Sequence, residues 1–532
     1  MLQEHILLVV CLLLGIALLT MVSNKLKISY PILLVISGLV ISFIPGIPLI
    51  QLHPDLVFLI FLPPLLYAAA WNTSWRDFWK WRRPIILLAF GLVIFTSAAI
   101  AFVSNAIIPG FSLAFGFLLG GIISPPDAVA ATSVLQGLQV PKRVVTVLEG
   151  ESLVNDASSL IVFRFALAAI LTGQFHIGQA AGSFALVVVM GITIGISIGW
   201  VIYMLHKFFP TTASIDAAIT LITPYIMYII AEHFHFSGVL SVVSGGLFLS
   251  FHSHSFFNYE TRLQVAGLWE TLVFLLNGLV FILIGLQLPG IIGGLGEYSI
   301  GEAILYAVII SMVTIIIRVV WVFPSAYLPR WLFKNIRKAE TNPGWKNVLL
   351  VAWSGMRGVV SLAAALSIPL VLTDGTAFPH RNLILFITFV VILATLVLQG
   401  LSLKPLIKLL RIKGGDKDEI KEQLLALRLK LAESVVLYLD MNYAQEMQQH
   451  DSYKRVYERY ERMMGIARKQ LAGDKKAEAE AAFLPQYRQM LIELVHIRRR
   501  ELQYSRYKAE FSEELMRERE WELDLEEARL KN

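Results

Sequence analysis

Glu149-Gly150-Glu151-Ser152-Leu153-Val154-Asn155-Asp156-Ala157-Ser158 decides how this chain is read, because it sets acids and amides at the head of an apolar run, Leu160 to Leu171, that otherwise belongs in lipid. Ionisable side chains inside a membrane helix are costly, so each is a functional candidate. On a helix Glu151 and Asn155 lie four residues apart, as do Ser152 and Asp156, and two polar pairs stack along neighbouring rows of one face. That face cannot look at lipid. It packs against another polar group in a bundle, or it lines a wet cavity where a cation replaces solvent. We read it as the cavity.

The 532-residue chain is 56% hydrophobic and 16% charged, with a mean hydropathy of +0.66, values far from those of an ordinary soluble domain. It reads as an all-α membrane protein. A single cysteine, Cys11, excludes an intrachain disulfide framework and a cysteine-based metal site. Residues 1–23 lack a convincing small-residue cleavage pattern and lead into further apolar segments, so they are expected to remain as the first helix. Residues 411–532 hold 24 basic and 24 acidic side chains, which leaves the whole excess of +6 in residues 1–410. There it marks membrane topology rather than nucleic-acid binding.

Apolar segments of spanning length, about 20 residues, fall near 5–23, 29–45, 54–71, 84–108, 111–135, 146–172, 178–205, 214–232, 237–251, 263–288, 303–327, 348–371 and 382–407. That makes about 13 transmembrane helices. Lys25 and Lys27; Arg76, Lys80, Arg82 and Arg83; Lys142 and Arg143; Lys207; Arg262; and Arg330, Lys334, Arg337, Lys338 and Lys346 occupy alternate loops, with Arg381 the exception. Because cytoplasmic loops collect Lys and Arg, the amino terminus is expected outside and the carboxyl-terminal tail inside.

Two spans carry helix-breaking sequence at membrane depth. Ser124-Pro125-Pro126-Asp127 interrupts the fifth, since proline lacks a backbone donor and disfavours helix at the residue before it. Ser354-Gly355-Met356-Arg357-Gly358 weakens the twelfth with two glycines. Broken helices in corresponding halves point to a transporter's binding site, and a spacing of seven spans suits inverted repeats made of helices 1–6 and 8–13. Each break is otherwise a kink used only for packing. From about Arg411 the composition turns to Glu, Lys, Arg, Leu and Gln, Gly414-Gly415 supplies a linker, and 417–443, 451–472 and 479–530 read as helices, the last with i,i+4 pairs of opposite sign. The chain thus divides into a membrane domain, 1–410, and a cytoplasmic helical domain, 411–532, which is either regulatory or a solvated extension.

Within 1–410 the chain resembles the monovalent cation:proton antiporters, in the sodium/proton exchanger branch that includes bacterial NhaP-type proteins. The resemblance rests on Ser124-Pro125-Pro126-Asp127-Ala128-Val129-Ala130, Glu149 to Ala157, Ala231-Glu232-His233-Phe234-His235-Phe236-Ser237-Gly238, Asn277 to Gly285, and Gly355-Met356-Arg357-Gly358. It implies thirteen helices split between a dimerisation domain and a six-helix core, with two crossed broken helices beside the acidic site. It further implies that Asp156 is the shared cation and proton site, Asn155 its neutral partner, and Asp127 and Ser152 further ligands of Na+. Glu151 would pair with Arg318, and Arg357 would stabilise the second break. Where family members commonly have Thr-Asp-Pro, this chain has Pro126-Asp127-Ala128, so a threonine ligand is replaced at best by the carbonyl of Pro126.

The implied activity is exchange of Na+ or Li+ for H+ by a homodimer in the cell membrane, one for one, with no cofactor and no chemical conversion. K+/H+ exchange, a passive cation channel, and a scaffold acting through its tail are the other readings. No phosphate-cradling Gly-x-x-x-x-Gly-Lys-Ser/Thr loop occurs, which disfavours an ATP-driven pump. Arg164 reads either as a second counter-charge or as a side chain reaching for the outer face. His233 and His235 read as surface groups, and Glu270 as an interfacial acid or a proton sensor.

Overall fold

The computed structural model describes residues 2–26, 28–44, 54–135, 138, 140–173, 177–296, 298–340, 342–372, 375–412, 417–472, 484–508 and 513–531. Lys27 and Gly414-Gly415 lie outside the described residues. The chain divides into two compact units, Met1–Gly414 and Gly415–Asn532.

In the first unit the principal helices are α1 (Leu2–Leu26), α2 (Tyr30–Ser42), α3 (Pro54–Asn72), α4 (Arg82–Ile107), α5 (Leu113–Ile123), α6 (Ala128–Leu135), α7 (Lys142–Thr172), α8 (Ile177–Phe208), α9 (Ala213–His233), α10 (Gly238–Phe256), α11 (Tyr259–Leu286), α12 (Ile300–Leu332), α13 (Trp345–Trp353), α14 (Val359–Leu366) and α15 (Arg381–Leu410). Each apolar segment read from the sequence coincides with one helix or, at 111–135 and 348–371, with two helices either side of a break. Among the described residues, nine helices, counting α5 and α6 as one, are long and apolar enough to cross a membrane, while α2 and residues 58–72 are shorter apolar helices.

Buried apolar side chains gather into two clusters. One joins α5, α7, α12, α13 and α15 through Leu118, Leu148, Ile310, Leu350 and Leu385. The other joins α3, α9, α10 and α11 through Tyr67, Met227, Val242 and Trp269. Where α2 crosses α11 the backbones touch: a Cβ on Gly38 would run into the Ile282 carbonyl, and one on Gly285 into the Val35 carbonyl. Small residues at such crossings let helices pack where lipid supplies no hydrophobic drive.

Two helices contain π-helical turns, Leu87–Leu92 within α4 and Thr395–Gln399 within α15. Such turns concentrate at functional sites because the extra residue releases backbone groups from the helix ladder. Here the Leu87 carbonyl accepts from Trp321 Nε1 at 3.1 Å, and the Ala89 carbonyl from the Ser158 hydroxyl of α7.

Arg381, the one basic residue on the wrong side of the charge alternation, has a local task. Its Nε and Nη2 donate to the carbonyls of Ile368 and Leu366 at 2.9 and 3.2 Å, closing the end of α14.

The second unit holds α16 (Lys417–Asn442), α17 (Asp451–Leu471), α18 (Leu484–Tyr507) and α19 (Glu513–Lys531). The single helix expected over 479–530 is therefore two. Among the described residues, charges pair between the two helices, Arg499 with Asp524 and Glu527 at 2.7 and 2.6 Å and Arg498 with Glu526 at 2.7 Å. The i,i+4 pair Lys531–Glu527 supplements them.

Candidate functional site

Proline pairs alone do not break a helix here, since Pro63-Pro64 stays inside α3. Ser124–Asp127 breaks because the chain has other partners to satisfy. The Asp127 backbone N–H donates to the Met356 carbonyl at 2.7 Å, so the two irregular segments meet and are hydrogen-bonded to each other. The Asp127 Oδ1 accepts from the Val129 N–H at 2.8 Å and caps α6. Its other oxygen lies against Gly358, the N-cap residue of α14, where a Cβ would overlap the carboxylate.

One carboxylate thus sits at the positive ends of two short helices, α6 and α14. The opposite ends are matched in the same way. Arg357 donates from Nε to the Ile123 carbonyl that ends α5, at 3.1 Å, and from Nη1 to the Gly355 carbonyl beyond α13; its backbone N–H reaches Thr395 Oγ1 at 3.1 Å. Arg318 donates to the Val351 carbonyl in the last turn of α13 at 3.2 Å. Four half-helix dipoles are held by one acid and two arginines.

Arg318 also makes a two-pronged pair with Glu151, Nη1 to Oε1 at 2.6 Å and Nη2 to Oε2 at 2.9 Å. Both side chains are at most 1% exposed. Such a buried pair is neutral as a unit, and each partner is what makes the other tolerable.

Asp156 is in a different position. It is buried at 8% exposure, and among the described residues no group hydrogen-bonds to its carboxylate, which lines a cavity of about 380 Å³. Asp127, Ser152, Glu149, Asn72 and Ser361 line the same space. Ser152 Oγ accepts from the Ala128 N–H at 3.2 Å, and Asn155 Nδ2 donates to the Pro126 carbonyl at 3.0 Å, so both residues pin the first break to α7. The Asn155 Oδ1 is buried without a partner among the described residues. The expected site residues Pro126, Asp127, Ser152 and Asp156 share the cavity; Asn155, Glu151, Arg318 and Arg357 build the frame around it.

A second cavity of about 640 Å³ shares Tyr30, Ala68, Asn72 and Val273 with the first, and Glu270, Arg262 and His254 line it together with Trp71, Phe257 and Trp269. Glu270 thus faces a wide space beside the inner cavity. Arg164 pairs with Glu232 at 2.5 Å, which makes it a counter-charge to α9, while Glu232 Oε1 accepts from the Gly238 N–H at 3.1 Å and caps α10. His233 and His235 are exposed.

The Gly358 contact gives a direct expectation. Asp127 is held through its backbone to Met356 and through Oδ1 to Val129, so it cannot swing away from an added methyl. Gly358→Ala should assemble yet lose about 1–3 kcal/mol from overpacking, read as a lower thermal midpoint in detergent. An unchanged midpoint would show that the carboxylate has room to move.

Residues 9–409 match the model of the transmembrane sodium/hydrogen exchangers. The chain belongs to this family. The sodium, potassium, lithium and rubidium/H(+) antiporter of Bacillus subtilis is 36% identical over 388 residues, which is 71% of this chain and 57% of that protein. This chain therefore spans little more than half the length of that exchanger. The Na(+)/H(+) antiporter ApNhaP of Aphanothece halophytica is 34% identical over 440 residues, 82% of this chain and 80% of its own length. The solved sodium proton antiporter MjNhaP1 from Methanocaldococcus jannaschii aligns with a TM-score of 0.61 at 18% identity, over 78% of this chain and 100% of that one. At that identity the likeness establishes the exchanger fold alone.

Sequence reading missed Asn72, Tyr30 and Ser361 as cavity residues, and it missed a buried network at the ends of α8, α9 and α11. There His206 Nδ1 meets Asp216 Oδ1 at 2.8 Å, and Thr261 donates to Asp216 Oδ2 at 3.0 Å. A single polar residue near the end of an apolar run gives no signal of what it will meet.

Proposed function

We propose that this exchanger is a secondary antiporter that carries a monovalent cation, with Na+ first, in one direction and a proton in the other, using Asp156 for both. The observation behind this is the contrast between the two aspartates. Asp127 spends its hydrogen-bonding capacity on helix ends, whereas the Asp156 carboxylate is buried, faces a cavity and has no protein partner among the described residues. A hard cation favours oxygen ligands, which the Asp156 carboxylate and Ser152 hydroxyl supply, with Asp127 and the Pro126 carbonyl beside them.

Since one carboxylate takes either a proton or a cation, the two compete, and a bare charged site crosses a low-dielectric barrier poorly. With Glu151 and Arg318 neutral as a pair throughout, one proton exchanges for one cation and no net charge moves. A difference of one pH unit, about 1.4 kcal/mol, then balances about a tenfold opposing cation gradient.

In this reading the protein works as a homodimer of thirteen-span chains in the cell membrane. Its amino terminus is outside, its tail is in the cytoplasm, and it needs no cofactor and performs no chemical conversion. The name of the Bacillus subtilis relative includes potassium, lithium and rubidium, so exchange of K+ is the second reading.

Proteoliposomes loaded with Na+, Li+ or K+ and followed with a pH-sensitive dye test both. Exchange should proceed at the same rate with the membrane potential free or clamped at zero. On the acidic limb, each unit fall in pH on the cation-loading side should raise the apparent KM for Na+ about tenfold. A rate that follows the potential would exclude one-for-one exchange, and an acid-insensitive KM would exclude competition at one carboxylate.

A further inference from the structure

Three guanidinium groups from three different spans gather around one residue, Glu340. Arg83, at the start of α4, donates to Glu340 from Nε at 3.0 Å and from Nη2 at 2.5 Å. Arg330, in the last turn of α12, donates to the Glu340 backbone carbonyl at 2.6 Å. Arg143, the second residue of α7, sits over the Trp81 ring at 4.1 Å and within electrostatic reach of Glu340, Arg83 and Arg330. All four charged side chains are half-buried, so three guanidinium groups and one carboxylate lie together with little solvent to screen them.

The Arg83 Nη1 is buried and has no hydrogen-bond partner among the described residues. An arginine fork turned away from water in this way calls for an acceptor, because buried donors are otherwise nearly always paired. The missing partner is an anion with several oxygens, the geometry that guanidinium groups match best.

Place decides which anion. The cluster lies at the ends of α4, α7 and α12, on the face where most of the loop arginines and lysines gather. Arg82 covers Trp79 at 4.8 Å beside it, and Trp79 and Trp331 are left exposed. Exposed indoles beside basic groups at span ends are the signature of the headgroup layer, where anionic lipids concentrate. A soluble anion makes no use of the indoles.

We propose that Arg83, Arg143 and Arg330 bind the phosphate of an anionic phospholipid headgroup. The same three helices carry Asp156, Arg318 and the π-helical turn behind Ser158, so the lipid ties together the helices that frame the inner cavity. This site is separate from that cavity and stands whether or not the cation reading holds.

The test uses the full chain, purified in detergent and stripped of lipid, with retention of phosphatidylglycerol and phosphatidylcholine followed by native mass spectrometry. The wild type should keep phosphatidylglycerol in preference. Arg143→Lys preserves the charge but loses the planar fork and should reduce that retention about tenfold, whereas Arg82→Lys, outside the cluster, should not. Should Arg143→Lys aggregate on size exclusion, Arg330→Lys carries the same expectation. Equal retention by wild type and both lysine variants would reduce the effect to diffuse charge attraction and overturn the site. So would a wild type with no preference between the two lipids. Stabilisation by inorganic phosphate to the same thermal midpoint as phosphatidylglycerol would overturn the lipid and leave a free-anion site.

Discussion

Asp156→Asn is expected to fold, reach the membrane and fail to exchange. The substitution keeps the volume and removes a cavity carboxylate that is neither paired nor spent on a helix end among the described residues. Losing a buried charged partner typically costs about 2–5 kcal/mol of binding, so cation affinity should fall at least about thirtyfold, and the proton loses the carboxylate assigned to carry it. The measurement is cation-driven proton movement in proteoliposomes beside a thermal midpoint. A near-wild-type midpoint with no exchange in Na+, Li+ or K+ is the expected result. Normal exchange by Asp156→Asn would remove this residue from the transport step, and cation current without proton movement in the wild type would make the protein a channel.

The second large effect falls on stability. Glu151→Gln leaves Arg318 fully buried and charged without its counter-charge, with the glutamine Oε1 and the Val351 carbonyl as neutral acceptors and Nε already unpartnered among the described residues. Breaking a buried pair from one side costs about 3–5 kcal/mol, whereas replacing both partners with apolar groups is often neutral. Glu151→Gln and Arg318→Met should therefore each lower the thermal midpoint sharply, and Glu151→Leu with Arg318→Met should recover most of the loss. If the double variant is as unstable as the sum of the two, the pair is not the coupled lock that its geometry describes. If the double variant is stable and also exchanges, the pair serves only to hold α7, α12 and α13 together.

These two expectations rest on parts of the molecule that differ in how legible they were. The helices follow from apolar runs that need no tertiary information. Both breaks were visible as Pro and Gly at membrane depth, although Pro63-Pro64 shows that the dipeptide is insufficient. What separates 125–126 from 63–64 is a capping aspartate at 127 and a carbonyl at 356 to receive its N–H, and the second of these is more than two hundred residues away. The network of His206, Asp216 and Thr261 is hidden even though its partners are only 10 and 45 residues apart, because its members sit at the ends of three helices. Arg164 and Glu232 were both noticed as ionisable, but nothing local shows that they meet. In the tail, the charges are plain in the sequence and read as pairing along one helix; among the described residues Arg498 and Arg499 of α18 pair with acids of α19 instead. Sequence reveals which residues need a partner, and packing alone decides which partner each one finds.

The hydrogen bond from Asp127 to the Met356 carbonyl, seconded by Arg357 reaching back to Ile123, works like a rivet through crossed beams. Neither broken helix is free to pivot without tearing the other, so any displacement of one must take its mate along as a single block. If the chain exchanges ions as proposed above, the slippage between inward and outward exposure falls to the seam where α3 and α11 border the inner cavity, and stiffness at the joint would keep that slippage from leaking ions.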